Sequence, residues 1–397
     1  MRKFKVTQLL GCIAAFAMTT TPALADEGEL TINVIASMSG AFAQFGEEAE
    51  KGARLAIETA GEAAGMKLKM ELIDTESNAG KAARKVKASL GEDGAGLFIG
   101  STLSSTALAV GAEIHNAGGL YINGSGADSI TGEKCNGSMF RWSAPTFGAV
   151  NASLRPVLDA HPDIKSVYTV TPQYVFGEAM LTNSKAVLEE RGLKFAGNSY
   201  HSLKDKEFSG IIAQALAAKP DLLLLLNFSS QAAASIQQAI NFGLKDRMKI
   251  LLVWSSGLDT MQSLGSEVSE GIYFGAQYWH EEEAKANQDL VALTKEKLGE
   301  APNYPMAHYY QMTKMIIDAA NELGTGDAAK IKAHLEGKSY EGITGTETIS
   351  ADNHQVEKNF YLLLGKAKSG MTDENDFADV VAKSKYFQPA SETGCTL

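Results

Sequence analysis

Three cysteines and nine prolines in 397 residues are too few for a disulfide-dense scaffold or a proline-rich disordered chain. The 38 glycines follow no collagen period. Basic residues are also in short supply. The 36 Lys and Arg stand against 47 Asp and Glu, and a formal net charge of −11 lacks the cationic footprint of a nucleic-acid binder. The apolar stretch at residues 9–18 falls short of the ~20 residues that span a bilayer.

Motifs for chemistry are missing as well. The chain holds no G-x-x-x-x-G-K-[ST] phosphate loop and no H-E-x-x-H zinc pair, and His280 starts an acidic run without a second His. Asn123-Gly124-Ser125-Gly126 lacks the first glycine of a nucleophile elbow. Gly94-Ala95-Gly96 precedes a strand instead of following one, so it reads as a turn and not as a dinucleotide fingerprint. The expectation is a protein without a metal or cofactor that binds rather than catalyses, although groups adjacent only in space would leave no such motif.

What is present is an ordinary globular composition, 45% hydrophobic and 21% charged, at a length that suggests two or three domains. Arg2, Lys3 and Lys5 precede the apolar stretch, and Ala23-Leu24-Ala25 follows it, which is the pattern of a cleavable secretory signal over residues 1–25. The remaining 372 residues carry 33 basic and 47 acidic side chains, a net of −14. Cys12 lies within that signal. Cys135 and Cys395 remain, an even number in an oxidising compartment, and are expected to form one disulfide that ties the tail, residues 386–397, to the body. Two free thiols are the alternative. Closing so long a loop contributes on the order of 4 to 5 kcal/mol in the chain-entropy picture.

From residue 30 short apolar runs alternate with helical patterns. Strands are expected at 30–36, 67–73, 96–99 and 120–123, then at 166–170, 196–201, 222–226 and 249–253, with helices between them. Five consecutive leucines at 222–226 read as a central strand buried on both faces. The rhythm predicts an α/β protein of two doubly wound parallel-sheet lobes. A less regular third segment has to join them, with passages expected near 143–147, 272–276 and 343–347. The first lobe would comprise 29–145 plus 275–345, the second 146–274 plus 346–385.

Ligands in such sheets bind beyond the carboxyl ends of the strands. Ser104 and Ser105 follow one strand and open a helix, where hydroxyls and free backbone N–H groups suit a carboxylate. Ser125, Gly126, Ala127 and Asp128 follow the next strand and offer small residues that backbone contacts with a ligand require. Phe45, Tyr174, Phe176, Phe228 and Trp254 occupy matching positions in both halves and favour an apolar or aromatic ligand body.

The run Ser37-Met38-Ser39-Gly40 through Phe45-Gly46-Glu47 and Lys51-Gly52-Ala53-Arg54-Leu55-Ala56 resembles the opening of periplasmic binding proteins for leucine, isoleucine and valine, solute receptors of ABC transporters. Asp74, Phe98-Ile99-Gly100 with Ser104-Ser105, the stretch 121–131, Phe176-Gly177 and Asp221 extend the resemblance over the mature chain. It implies a type I periplasmic-binding fold whose two lobes, joined by three crossovers, close on a small molecule and deliver it to an inner-membrane permease. It implies a ligand carboxylate at Ser104 and at backbone near Ser125 and Ala127.

Phe45, Phe176 and Phe228 fall where the family often has tyrosines, which implies a drier pocket. Where the family holds the ligand ammonium with a carboxylate, this chain has Trp254-Ser255-Ser256-Gly257. Either Asp128 replaces that group from the opposite lobe, or the ligand carries no amino group. The expected ligand is thus a branched-chain or other hydrophobic amino acid, or alternatively an aromatic or hydrophobic carboxylate or a small amide. A monomeric periplasmic receptor is expected, with a sensor subunit and a secreted hydrolase as rivals.

Overall fold

Apart from Met1, the computed structural model describes residues 28–90 and 96–397. The signal-peptide reading of residues 1–25 lies outside them. The first lobe is built on β1 (Glu29–Ala36), β2 (Glu62–Ala63), β3 (Met66–Asp74), β4 (Leu97–Gly100), β5 (Leu120–Asn123) and β6 (Met139–Arg141), in the order β2-β3-β1-β4-β5-β6. All pairings are parallel except the short β2–β3 hairpin. Helices α1 (Ala43–Ala60), α2 (Ala79–Ser89) and α3 (Ser104–Asn116) cover it. In α1 the buried residues Phe45, Ala49, Gly52, Ala53 and Ala56 recur at helical spacing.

The second lobe begins with α4 (Thr146–Ala160) and continues through β7 (Ser166–Pro172), α5 (Val175–Glu190), β8 (Lys194–His201), α6 (Ser209–Ala218), β9 (Leu222–Leu225), α7 (Ser229–Asn241) and β10 (Lys249–Ser255). Then come α8 (Leu258–Leu264), α9 (Ser266–Ser269) and β11 (Tyr273–Ala276). The four leucines of β9 have no exposed surface and lie inside the sheet between β10 and β7, as the leucine run predicts.

Helices α10 (Lys285–Leu298), α11 (Tyr304–Leu323) and α12 (Ala328–Leu335) return to the first lobe. There α11 packs so closely on α1 that a β-carbon at Gly52 would lie 2.0 Å from the Met306 carbonyl oxygen. A separate three-stranded sheet follows, of β12 (Ser339–Gly342), β13 (Gly345–Ile349) and β14 (Val356–Glu357). Strands β15 (Phe360–Gly365) and β16 (Ala378–Ser384) complete the second lobe's sheet in antiparallel pairing, giving β16-β15-β11-β10-β9-β7-β8.

One boundary moves. Ile343, Ile349 and Val356 belong to the first lobe's apolar core, so the third passage lies between β14 and β15 and not at 343–347. The three passages are bonded to one another near the hinge. The Ala144 N–H donates to Gln277 Oε1 (2.8 Å), Lys358 Nζ donates to the Gln277 carbonyl (2.6 Å), and Gln355 Nε2 donates to the Ser143 carbonyl (2.9 Å). Cys135 and Cys395, 260 residues apart, form a disulfide.

Candidate functional site

The loops that follow the parallel strands of the two sheets face one another. From the first lobe come Phe42 and Phe45 after β1, residues 101–105 after β4 and residues 125–128 after β5. From the second come Tyr174 and Phe176 after β7, Phe228 after β9, and Trp254 near the end of β10. Backbone strain marks both sides: Ser101 (φ 77°) and Ser229 (φ 55°) hold left-handed conformations that non-glycine residues seldom adopt.

The aromatic residues meet across the lobes. Phe42 stacks on Phe228 with ring centroids 4.9 Å apart, and Phe45 meets Phe228 edge-on at 6.4 Å. Phe176 stands edge-to-face against Phe228 (5.6 Å) and Trp254 (5.1 Å). Phe45, Phe176, Phe228 and Trp254 are each at most 6% exposed. The lobes are therefore closed on one another, and this cage carries no charged side chain.

A polar edge adjoins the cage. Ser104 is the first residue of α3, yet its hydroxyl does not cap that helix. Instead the Ala127 N–H donates to Ser104 Oγ (3.1 Å), which leaves the hydroxyl proton to serve another acceptor. The unbonded backbone N–H groups of the first turn of α3 add the positive end of a helix dipole. Ser125 Oγ donates to the Ser101 carbonyl (2.9 Å) and its own N–H bonds Asn123 Oδ1 (3.1 Å), so Ser125 shapes the loop. The Thr102 hydroxyl is buried beside it without a hydrogen-bond partner.

Behind this edge lies Arg141, 1% exposed. Its Nη1 donates to the carbonyls of Ala127 (2.6 Å) and Gly126 (3.2 Å), Nε donates to Gln355 Oε1 (2.6 Å), and Nη2 reaches Thr131 Oγ1. Burial lowers the guanidinium pKa to about 10, opposed by Asp128 nearby, so it stays charged at neutral pH. Held from the carbonyl side, the peptides at 126–128 turn their N–H groups the other way.

Asp128 is bonded within the protein. The Phe147 N–H donates to its Oδ1 (2.9 Å) and Asn183 Nδ2 donates to its Oδ2 (2.6 Å), and both donors belong to the second lobe. Its carboxylate joins the lobes, one bond on each oxygen. Ser256 is buried, but its N–H bonds Thr260 Oγ1 (3.1 Å) and its carbonyl accepts from the Tyr304 N–H (3.4 Å). Ser105 and Tyr174 are half-buried at the margin, Tyr174 with its ring 5.8 Å from that of Phe176.

Phe42, Thr102, Arg141 and Tyr304, whose ring lies 6.0 Å from Phe45, escaped sequence reading. Only Phe42 had a local signal, one turn before Phe45. Among the described residues no cluster of His, Cys, Asp and Glu has the geometry of a metal site.

Comparison with known proteins agrees with this architecture. The family model for periplasmic binding proteins matches residues 29–370. A crystal structure described as an amino acid ABC transporter substrate-binding protein from Pseudomonas fluorescens Pf-5 is 49% identical, covers 93% of this chain and 99% of its own, and superposes with a TM-score of 0.89. The Leu/Ile/Val-binding protein homolog 3 of Brucella melitensis biotype 1 is 24% identical over 345 residues, 85% of this chain and 91% of the relative. A solute-binding protein from R. palustris in complex with benzoate shares the fold at 21% identity, with a TM-score of 0.82 over 93% of this chain and 100% of that one. The chain belongs to the periplasmic binding protein family, is similar to Leu/Ile/Val-binding proteins, and is a solute-binding protein of the ABC-transporter type.

Proposed function

We propose that this protein captures a small apolar carboxylate without an amino group, most naturally one with an aromatic ring, by closing its lobes, and hands it to an ABC permease in the periplasmic space. The observation that carries this is the pairing of an uncharged aromatic cage with the Ser104–Ala127 edge, while the nearby Asp128 carboxylate is bonded to Phe147 and Asn183. The carboxylate would accept from the Ser104 hydroxyl and from backbone N–H groups at 104–106 and near Ala127. Phe45, Phe176, Phe228 and Trp254 would enclose the ring. A ligand ammonium would find no carboxylate in the cage itself, and the nearby Asp128 already accepts from Phe147 and Asn183. Ligand can favour the closed form only through contacts that closure creates, and this cage is completed by residues of both lobes.

A second reading is a hydrophobic amino acid. It is favoured by the 49% identical P. fluorescens structure, which is described as an amino acid transporter component. Mass spectrometry of the ligand released by denaturing freshly purified protein separates the two. An aromatic or aliphatic carboxylic acid supports the proposal; leucine, isoleucine, valine or phenylalanine recovered in stoichiometric amount supports the second reading.

A further inference from the structure

The C-terminal tail does more than finish the second lobe. After β16 the Tyr386 ring lies 6.0 Å from Phe147, and the Arg155 guanidinium sits over it at 5.8 Å, both residues of α4 in the second lobe. Phe387 packs against that lobe's apolar core. The chain then leaves for the first lobe. A β-carbon on Gly132 would lie 2.8 Å from the Thr393 carbonyl oxygen, Gly394 approaches Glu133, and Cys395 is bonded to Cys135, which lies between β5 and β6. Even before this passage, Lys385 Nζ donates to the Thr346 carbonyl of the first lobe (2.7 Å).

We propose that residues 387–395, closed by the Cys135–Cys395 disulfide, form a fourth and covalent connection between the lobes that limits how far they open. Phe387 is anchored on one lobe and Cys395 on the other, with eight peptide steps between them. Drawn out fully, such a segment reaches at most ~29 Å. Here it is shortened by the 3-10 turn at Ala390–Glu392, held by the Glu392 N–H to Pro389 carbonyl bond (2.9 Å), with Thr393 Oγ1 bonded to the Ala390 carbonyl (2.7 Å). Opening first has to unwind that turn and then draws the segment taut. The strap therefore leaves closure free and resists wide opening and twist.

Its place beside the first passage fits this role. Gly148, two residues into α4, would put a β-carbon 2.4 Å from the Tyr386 carbonyl oxygen, so the strap starts from a point packed against the beginning of α4, just after the first passage. A disulfide serving only to anchor a loose tail would have no reason to change the motion of the lobes. The distinction is measurable, and it does not depend on the identity of the ligand.

Spin labels introduced through an unnatural amino acid at the exposed positions Glu58 and Lys206, one on each lobe, report the interlobe distance in ligand-free protein. The expected result is a distribution that is broader and reaches longer distances in the Cys135→Ser/Cys395→Ser double variant than in the oxidised parent. A second variant keeps the disulfide but inserts six Gly/Ser residues after Ser391. It should show the same widening while retaining the parent's melting temperature, and it decides the question if the double variant fails to fold. Parent and slackened protein with the same distribution, or a narrower one in the slackened protein, would overturn the proposal.

Discussion

Trp254 of the second lobe rests on the α-carbon of Gly126 of the first. A β-carbon at position 126 would lie 2.5 Å from Cη2 of the indole and 2.8 Å from Cε2 of Phe176. Glycine is needed here for space between the lobes, since nothing about its backbone demands it. Gly126→Ala should therefore leave the ligand-free fold intact but obstruct closure. Overpacking of this kind costs about 1–3 kcal/mol, so affinity for the co-purifying ligand should fall roughly 5- to 150-fold with an unchanged ligand-free melting temperature. Calorimetric titration checks this; parental affinity would show that the lobes close without seating Trp254 on residue 126.

Ser104 and Asp128 should behave differently. Ser104→Ala removes the hydroxyl proposed to donate to the ligand carboxylate and also the acceptor for Ala127, and it should weaken binding by about 1–3 kcal/mol. Asp128→Asn, by contrast, alters an interlobe bond. It should shift the affinities for phenylalanine and 3-phenylpropanoate by the same factor, whereas a loss confined to phenylalanine would restore Asp128 as an ammonium partner.

Closure should be coupled to pH through Asp259. Gln44 Nε2 of the first lobe donates to Asp259 Oδ1 of the second (2.6 Å). Burial, then the nearby Glu48 carboxylate, raise the Asp259 pKa from its ordinary 3.8 to about 6, against the opposing pull of Gln44 and Lys51. An open mouth returns Asp259 to water and to its ordinary value. Between about pH 4 and 6 closing then takes up a proton, so the closed form gains as pH falls through 6 and carries the full penalty above it. Ligand affinity should rise several-fold from pH 7.5 to pH 5, and Asp259→Asn should flatten that dependence. An unchanged slope in the variant would assign the pH effect to other groups.

The disulfide should matter for stability as well as for motion. Constraining a loop of 260 residues in the unfolded chain predicts a loss of up to ~5 kcal/mol when Cys395 is replaced by Ser. Differential scanning calorimetry without reductant should show a clearly lower melting temperature for Cys395→Ser. Equal values would mean that native-state strain cancels the entropic gain.

Most of the lobe strands could be read from the sequence because each is a short apolar run bounded by turn residues, and β9 is the plainest case. The elements that escaped have physical reasons. Helix α4 carries Pro156 in its interior, which reads as a break. β6 is only three residues long, and β16 is an edge strand with Val380 and Val381 exposed, so it shows no buried face. The third passage lies later than the sequence rhythm suggests because β13 reads like a lobe strand, although its pairing is with β12 and β14.

In the candidate site, Phe45, Ser104, Phe176, Phe228 and Trp254 are legible from residue type and position after strands, and the fold brings the four aromatic residues among them together. Contacts between distant parts of the chain are not legible. Asp128 meets Phe147 and Asn183, 19 and 55 residues away, and Arg141 meets Gln355 at a separation of 214, distances at which no spacing rule operates.

The central claim is that the closed cage takes a carboxylate and refuses an ammonium. Calorimetric titration of ligand-stripped protein with 3-phenylpropanoate, phenylalanine, benzoate and leucine compares ligands with and without the amino group on similar apolar bodies. The account predicts that at least one of the two plain carboxylates binds, and that each binds more tightly than its amino-bearing counterpart. Tight leucine or phenylalanine binding with no heat from 3-phenylpropanoate or benzoate would contradict it.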